Sequence, residues 1–423
     1  MAKKRMKSTA KRIAWAAAYV LFTPFGLFRR GLFKPRKPLK LADVRSILAI
    51  RLDLMGDLVF TLPALRALKE AAPSARLTVL VQPYAADLVR NLPFVDRVIT
   101  ADVARWRKPG VLIRSAWRDV LKARRELLEE QFDLCVSFYG KVGASAALLS
   151  NARYLVGYST EGYPGSFGLG LQGYRYQHRR HEAEYCLDLV RPLLSHNSDT
   201  CCEDYYQDSH NSSPALSCGP ELPVLVVDPA ARSKVDQLLV VAGISSEDRL
   251  VALHPGALNM AAKRWLPERW AAVADWLQKE LGQRVVLIGS ASEVPLTEEV
   301  RSTMSTSVVN MAGKTSVAEL VALLSRCRLF LGGDSGPLHV ASALGVPSVS
   351  VYGPTDPAIT GPLSARARVL VGGADCAPCY DLKSPPECRR GNLLCMDLVS
   401  VEQVYEAARE MVIGEDVGER GNS

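Results

Sequence analysis

Four short stretches put residues that can do chemistry directly after apolar runs. The first is Arg51-Leu52-Asp53-Leu54-Met55-Gly56-Asp57. Asp57 follows a glycine turn where a helical pattern begins. Two readings of it stand side by side: an N-cap that bonds the orphan amides of the helix, and a carboxylate that serves as a general base. The second stretch is Gly332-Gly333-Asp334-Ser335-Gly336-Pro337-Leu338-His339. Pro337 suits the N1 position, Ser335 or Gly336 suits the cap, and Gly345 suits C′. A helix start of this kind offers unpaired amides and a positive dipole end, and its glycines let an anion approach the backbone. The third is His254-Pro255-Gly256-Ala257 followed by Lys263-Arg264-Trp265. Either Lys263 or Arg264 could neutralise a diphosphate, whereas Trp265 and Trp270 read as packing residues of the following helix. In the fourth, Glu293 comes after Ile288-Gly289-Ser290. It is either a first-turn helix acid or an acceptor for sugar or ribose hydroxyls.

The elements that must position these residues alternate between strands and helices. Apolar runs at 45–51, 77–81, 97–100, 132–137 and 154–157 read as buried strands, with helical stretches at about 55–71, 115–130, 142–149 and 182–194. A polar, Ser-rich stretch, 195–223, reads as a linker with a surface insertion. The alternation then resumes. Strands are expected at 250–254, 284–288, 308–309, 329–331, 348–351 and 369–371. Helices are expected at 267–281, 293–303, 317–325, 337–344 and 401–412. This pattern predicts an α/β chain of two doubly wound halves, 41–194 and 224–423, facing each other across a cleft. The pattern G-x-G-x-x-G is absent from the first turn, which argues against a nicotinamide or flavin dinucleotide.

Composition narrows the function further. The chain has 423 residues and a net charge of +8, yet residues 1–40 hold twelve Lys and Arg and no Asp or Glu. The remainder carries 40 basic against 44 acidic residues, so the body is mildly acidic and a nucleic-acid partner is not expected. Within the arm, residues 13–28 are uncharged and include five aromatics. As a helix they would reach ~24 Å, short of the ~30 Å hydrocarbon core. No small-x-small cleavage pattern follows, so an interfacial helix on an anionic leaflet is preferred to a signal peptide or a basic tail. Of the ten cysteines, Cys135 and Cys327 read as core residues. Cys376, Cys379, Cys388 and Cys395 have the spacing C-x2-C-x8-C-x6-C. They could bind zinc, but no metal is expected there because the second pair is not a C-x2-C; a metal reading of His196, Cys201, Cys202 and His210 in the Ser-rich stretch yields to a floppy loop.

In this order the four stretches resemble glycosyltransferase family 9, the ADP-heptose:lipopolysaccharide heptosyltransferases. The carriers are RLDLMGDLVFTLPALRAL, HPGALNMAAKRWLPERW, GGDSGPLHVASALGVPSVSVYGPTDP and CAPCYDLKSPPECRRGNLLCM, within roughly residues 45–413. The resemblance implies a GT-B fold, with the acceptor bound by the first Rossmann-like domain and the nucleotide sugar by the second. It implies inverting transfer of heptose or a related sugar from ADP-heptose to a lipopolysaccharide-core or lipid-linked acceptor. No metal and no cofactor beyond the nucleotide sugar is implied. By motif, Asp57 is expected to be the general base, with Arg51 and Asp53 on the acceptor side. Lys263 is expected to steady the diphosphate, and Glu293 to contact donor hydroxyls. Asp334, Ser335, Gly336, Leu338 and His339 are expected around the donor phosphates, with His254, Pro255 and Gly256 beside them. The family has Pro directly after Lys-x-Trp, whereas Leu266 intervenes here, so Arg264 stays a candidate beside Lys263. The expected location is the inner face of the cytoplasmic membrane, held peripherally by residues 1–40. Competing readings are a transferase of the same fold with another nucleotide sugar, a nucleotide-sugar 2-epimerase, and a retired scaffold that binds without turnover.

Overall fold

The computed structural model describes residues 23–24, 39–103, 122–164, 166–171, 179–194, 225–258, 260–380 and 387–420, with side chains as far as 413. Nearly all of the basic arm and the whole 195–223 insertion lie outside the described residues. The chain divides into two compact units, Met1–Arg175 with Ala183–Pro220, and Tyr176–Glu182 with Glu221–Ser423. The short segment 176–182, which the sequence pattern leaves inside the first half, therefore groups with the second. Arg179 pairs there with Asp356 at 2.7 Å, and His181 Nε2 lies 3.0 Å from the Gly361 carbonyl.

The first unit is built on β1 (Ser46–Arg51), β2 (Arg76–Val81), β3 (Arg97–Thr100), β4 (Leu134–Ser137), β5 (Tyr154–Tyr158) and β6 (Leu169–Leu171). They form one sheet in the order β3-β2-β1-β4-β5-β6, and every recorded pairing is parallel. All six residues of β1 are buried. That is why its sequence is a continuous apolar run and not an alternating one: helices cover both faces of such a sheet. Leu48, Ile50, Leu80 and Cys135 sit together in its core. Helix α1 (Met55–Ala71) follows β1, α2 (Gly140–Leu149) follows β4, and α3 (Glu182–Leu194) comes after β6.

The second unit repeats the plan with β7 (Leu250–His254), β8 (Arg284–Leu287), β9 (Val309–Asn310), β10 (Cys327–Gly333), β11 (Ser348–Tyr352) and β12 (Ala367–Val371). Its order is β12-β11-β10-β7-β8-β9, the same doubly wound order as the first unit when numbered from β7. Helices α4 (Pro229–Val241), α5 (Pro267–Leu281), α6 (Val294–Thr303), α7 (Val317–Leu324), α8 (Gly336–Ala343) and α9 (Val401–Arg420) surround it. Helix α5 starts on Pro267 and ends at Gly282 with φ +60°, both as the preferences for N1 and C-terminal glycine require. Trp265 and Trp270 are buried edge to face, 4.7 Å between ring centres, and Trp265 Nε1 donates to the Val399 carbonyl. They are packing residues, and such a ring pair contributes about 0.5–1.5 kcal/mol beyond its buried area.

Strand β6 and helix α4 are elements the sequence pattern does not reveal. Three residues are too few to show a period. Helix α4 lies just beyond the polar insertion, and its start is marked by Asp228, whose carboxylate accepts from the Ala231 amide, and by Pro229.

Candidate functional site

In each unit the strand order reverses once, between β1 and β4 in the first and between β7 and β10 in the second. Ligands of open parallel sheets bind outside the carboxyl ends of the strands at such a point. The residues singled out above emerge there because both strands deliver their last residues to one edge.

In the first unit Arg51 ends β1 and the chain turns into α1. The N-cap is Leu54, which has no side-chain acceptor, so Asp57 is not the cap but the third residue of the helix. Its Oδ2 lies 3.4 Å from the Leu54 amide. Arg51, expected on the acceptor side, is 2% exposed and faces protein partners. Its Nε donates to Asp53 Oδ1 at 2.6 Å, its Nη2 lies 3.5 Å from Asp57 Oδ1, and its Nη1 is 3.4 Å from Cys186 Sγ. The turn is clamped by the segment that follows β2. Gln82 Nε2 donates to the carbonyls of Leu52 and Asp53, and the Tyr84 hydroxyl donates to the latter. Thr61 Oγ1 donates to the Asp57 carbonyl. Cys186, Thr61, Gln82 and Tyr84 carry no signal in the sequence, since each is far along the chain or an ordinary core residue.

In the second unit, β7 delivers His254 and β10 delivers Asp334 and Ser335. Ser335 is the N-cap of α8, but its side chain makes no capping bond. Its hydroxyl instead lies 3.1 Å from His254 Nδ1. The amides of the helix start are thereby left without a side-chain cap, the condition under which an anion can take them. The helix begins on Gly336, which puts Pro337 second and not first, and Gly345 is the residue after its C-cap with φ +72°.

The other ring nitrogen of His254 faces Glu293 Oε2 at 3.5 Å. That carboxylate oxygen also accepts from the Ser290 amide and hydroxyl, both at 2.8 Å. Glu293 is thus a first-turn acid and a buried partner of histidine at once. Burial pushes its carboxyl up, but His254 and Ser290 outweigh this and bring it down to about 2. Its Oε1 is buried with no hydrogen-bond partner among the described residues. Only a glycine can sit opposite: a Cβ on Gly256 would stand 2.0 Å from that oxygen.

Lys263 Nζ donates to Asp334 Oδ2 at 2.6 Å and stands 5.3 Å from the centre of the Tyr380 ring. His339 Nε2 is 3.6 Å from Asp334 Oδ1, and the Tyr352 hydroxyl is 3.5 Å from it. Burial raises the Asp334 carboxyl, yet Lys263 first and His339 second hold it far below the usual carboxylate range. The same buried charge pushes the Tyr352 phenol well up, after burial itself. Arg264 points elsewhere, with its Nη2 3.5 Å from the Ala257 carbonyl. Of the two neighbouring cations it is Lys263 that meets the start of α8. Leu338 is buried in α8, and Pro255 and Gly256 form the turn beneath His254.

Cys376, Cys379, Cys388 and Cys395 line one cavity with Met260, Pro354 and Tyr380. Burial first, then the neighbouring sulfurs, push the Cys395 thiol up to about 11. Among the described residues no group of three His, Cys, Asp or Glu side chains is gathered to hold a metal ion. Nor, among them, is any helix long and apolar enough to cross a membrane.

A family model described as glycosyltransferase family 9 (heptosyltransferase) matches residues 120–389. The lipooligosaccharide heptosyltransferase 2 of Haemophilus influenzae is 35% identical over 153 residues, 35% of this chain and 44% of that protein. The match thus spans less than half the length of that relative. The crystal structure of a glycosyl transferase family 9 protein from Veillonella parvula superposes with a TM-score of 0.71 at 23% identity, covering 89% of this chain and 98% of that one. E. coli heptosyltransferase WaaC with ADP gives 0.60 at 18% identity, covering 86% and 99%. At these identities the likeness carries the fold, which is GT-B.

Proposed function

This chain belongs to glycosyltransferase family 9, and on that premise we propose that it transfers a heptose, with inversion, from ADP-heptose to a hydroxyl of a lipopolysaccharide-core or lipid-linked acceptor. One observation carries the reading. At the switch point of the second unit Lys263, partly buried and paired with Asp334, stands with a helix start whose N-cap hydroxyl is turned away to His254. That is a place for a diphosphate. In the transfer, the acceptor oxygen bonds to the anomeric carbon, the bond from that carbon to the phosphate oxygen breaks, and ADP departs. Negative charge grows on the leaving diphosphate, where Lys263 and the α8 amides would meet it. Asp57, the most open charge of the first site with a side chain 25% exposed, takes the hydroxyl proton. A positioned carboxylate contributes about 10²–10⁴-fold in such a step. Glu293 Oε1, buried without a partner among the described residues, is the acceptor offered to a donor hydroxyl.

The reading assigns every charge-bearing role to protein groups, with no metal ion and no cofactor besides the donor. It also assigns residues 1–40, basic and partly apolar, to an anionic membrane surface at its cytoplasmic face, where a lipid-linked acceptor would be met. ADP as the base fits the nucleotide carried by the E. coli relative's structure.

The experiment mixes the full chain with ADP-heptose and a heptose-deficient lipopolysaccharide core. Released ADP should equal the glycan that gains one heptose in mass. Thermal shifts with ADP, UDP and GDP run beside it, since a ligand at a hundred times its Kd adds ~2.7 kcal/mol. A shift with UDP or GDP and none with ADP would move the function to another sugar. Donor turnover that needs no acceptor would overturn the transferase reading.

A further inference from the structure

The buried guanidinium behind Asp57 has no place in the transfer chemistry, yet it lies at the centre of the first site. We propose that Arg51, itself held by Asp53, is a positioning residue that fixes the Asp57 carboxylate for its proton transfer. This rests on the reading of Asp57 as the base.

The geometry runs outward from the sheet. Arg51 is the last residue of β1, the strand next to the switch point, so its backbone is held by pairing with β2. Its guanidinium is a planar fork whose N–H directions are fixed relative to one another. Nε is taken by Asp53 at 2.6 Å and Nη1 by Cys186 Sγ at 3.4 Å, and the group lies 5.7 Å from the centre of the Tyr139 ring. With those contacts holding the plane, the edge bearing Nη2 faces Asp57 Oδ1 at 3.5 Å. That distance is an ion pair and not a short hydrogen bond, so it orients the oxygen without consuming it. The other oxygen is steadied by the Leu54 amide at 3.4 Å.

The charges are graded in the same direction. The side chains are 1% exposed for Arg51, 11% for Asp53 and 25% for Asp57. Asp53 neutralises the buried cation, so Asp57 sits beside a balanced pair of charges. Asp53 in turn cannot drift, because its own carbonyl is held by Gln82 and Tyr84.

The test uses the full chain, with Arg51→Met, Arg51→Lys, Asp53→Asn and Asp57→Asn assayed together for kcat and for both KM values. Displacing a reacting group by about 1 Å costs on the order of 100-fold. Arg51→Met should therefore lose about 10- to 100-fold in kcat, with both KM values nearly unchanged. Arg51→Lys keeps the charge without the fork and should recover part of that loss. Asp53→Asn should lower kcat as well. A rise in acceptor KM with kcat intact would make Arg51 an acceptor contact and overturn the proposal. If Arg51→Met fails to fold, Arg51→Lys and Asp53→Asn decide, and wild-type kcat in both overturns it. Full turnover by Asp57→Asn would instead remove the base itself. A dead Asp57→Asn beside unimpaired Arg51 and Asp53 variants would sink the positioning role alone.

Discussion

Lys263 Nζ lies 2.6 Å from Asp334 Oδ2, with the lysine side chain 19% exposed and the aspartate 7%. The cation is therefore tethered to the protein before any phosphate arrives, and the aspartate is buried as a charge only because the cation is there. Function and stability are coupled in this pair.

Lys263→Ala should accordingly do two things. Stranding one member of a buried ion pair costs about 3 kcal/mol or more, so the melting temperature falls. Loss of a group that meets developing charge should cut kcat/KM by roughly 100-fold or more. Arg264→Ala, assayed in parallel by ADP release, should leave kcat/KM within a few-fold, because its guanidinium faces the Ala257 carbonyl. The reverse ranking would transfer the diphosphate role to Arg264.

Asp57→Asn should abolish turnover while retaining the ADP thermal shift, since the proposed base lies in the first unit and the proposed diphosphate site in the second. Asn keeps an oxygen that can accept from the Leu54 amide, so the variant should melt within about 1 kcal/mol of the parent. Turnover close to the parent's would eliminate Asp57 as the base.

Glu293 gives a pH signature in stability. Its carboxyl sits at about 2 in the folded chain against an ordinary 4.5. A depressed acid stabilises the fold above the unfolded value, and that contribution fades as pH falls from about 5 towards 2. At neutral pH it amounts to about 3 kcal/mol. The stability gap between the parent and Glu293→Gln should therefore be widest at pH 6 and shrink by pH 3 in urea unfolding. A gap independent of pH would mean the carboxylate is not held by His254 and Ser290.

Gly256→Ala tests the space opposite Glu293. The added carbon would fall 2.0 Å from Oε1 and 2.9 Å from His254 Nε2. Overpacking of this kind costs typically 1–3 kcal/mol, and the donor KM should rise because Glu293 must turn away. An alanine variant with parental stability and donor KM would show that the pocket is looser than the geometry indicates.

Much of the fold is legible along the chain because its physics is local. β7 and α5 fall at the residues their apolar run and Pro–Gly boundaries dictate. The glycine turn after β1 and the helix start after β10 are likewise written in consecutive residues. Such signals depend on backbone preferences and on burial of both sheet faces, which act over a few positions. Where the pattern was short, as in β6, or adjoined a polar insertion, as in α4, the chain alone was silent.

What the sequence could not decide is which neighbours each group would meet. Whether Asp57 was a cap turned on where the helix began, in a turn clamped by Gln82 and Tyr84 from the segment after β2. Which of the adjacent Lys263 and Arg264 pairs with Asp334, 71 residues away, is likewise set only in space. Arg51 meets Cys186, a partner 135 residues along the chain that no local pattern announces. By itself the sequence determined the strands, the turns and the kinds of groups at their ends. Only tertiary structure set their burial and pairing, because desolvation and ion pairing depend on distance in space, and distance along the chain does not encode it.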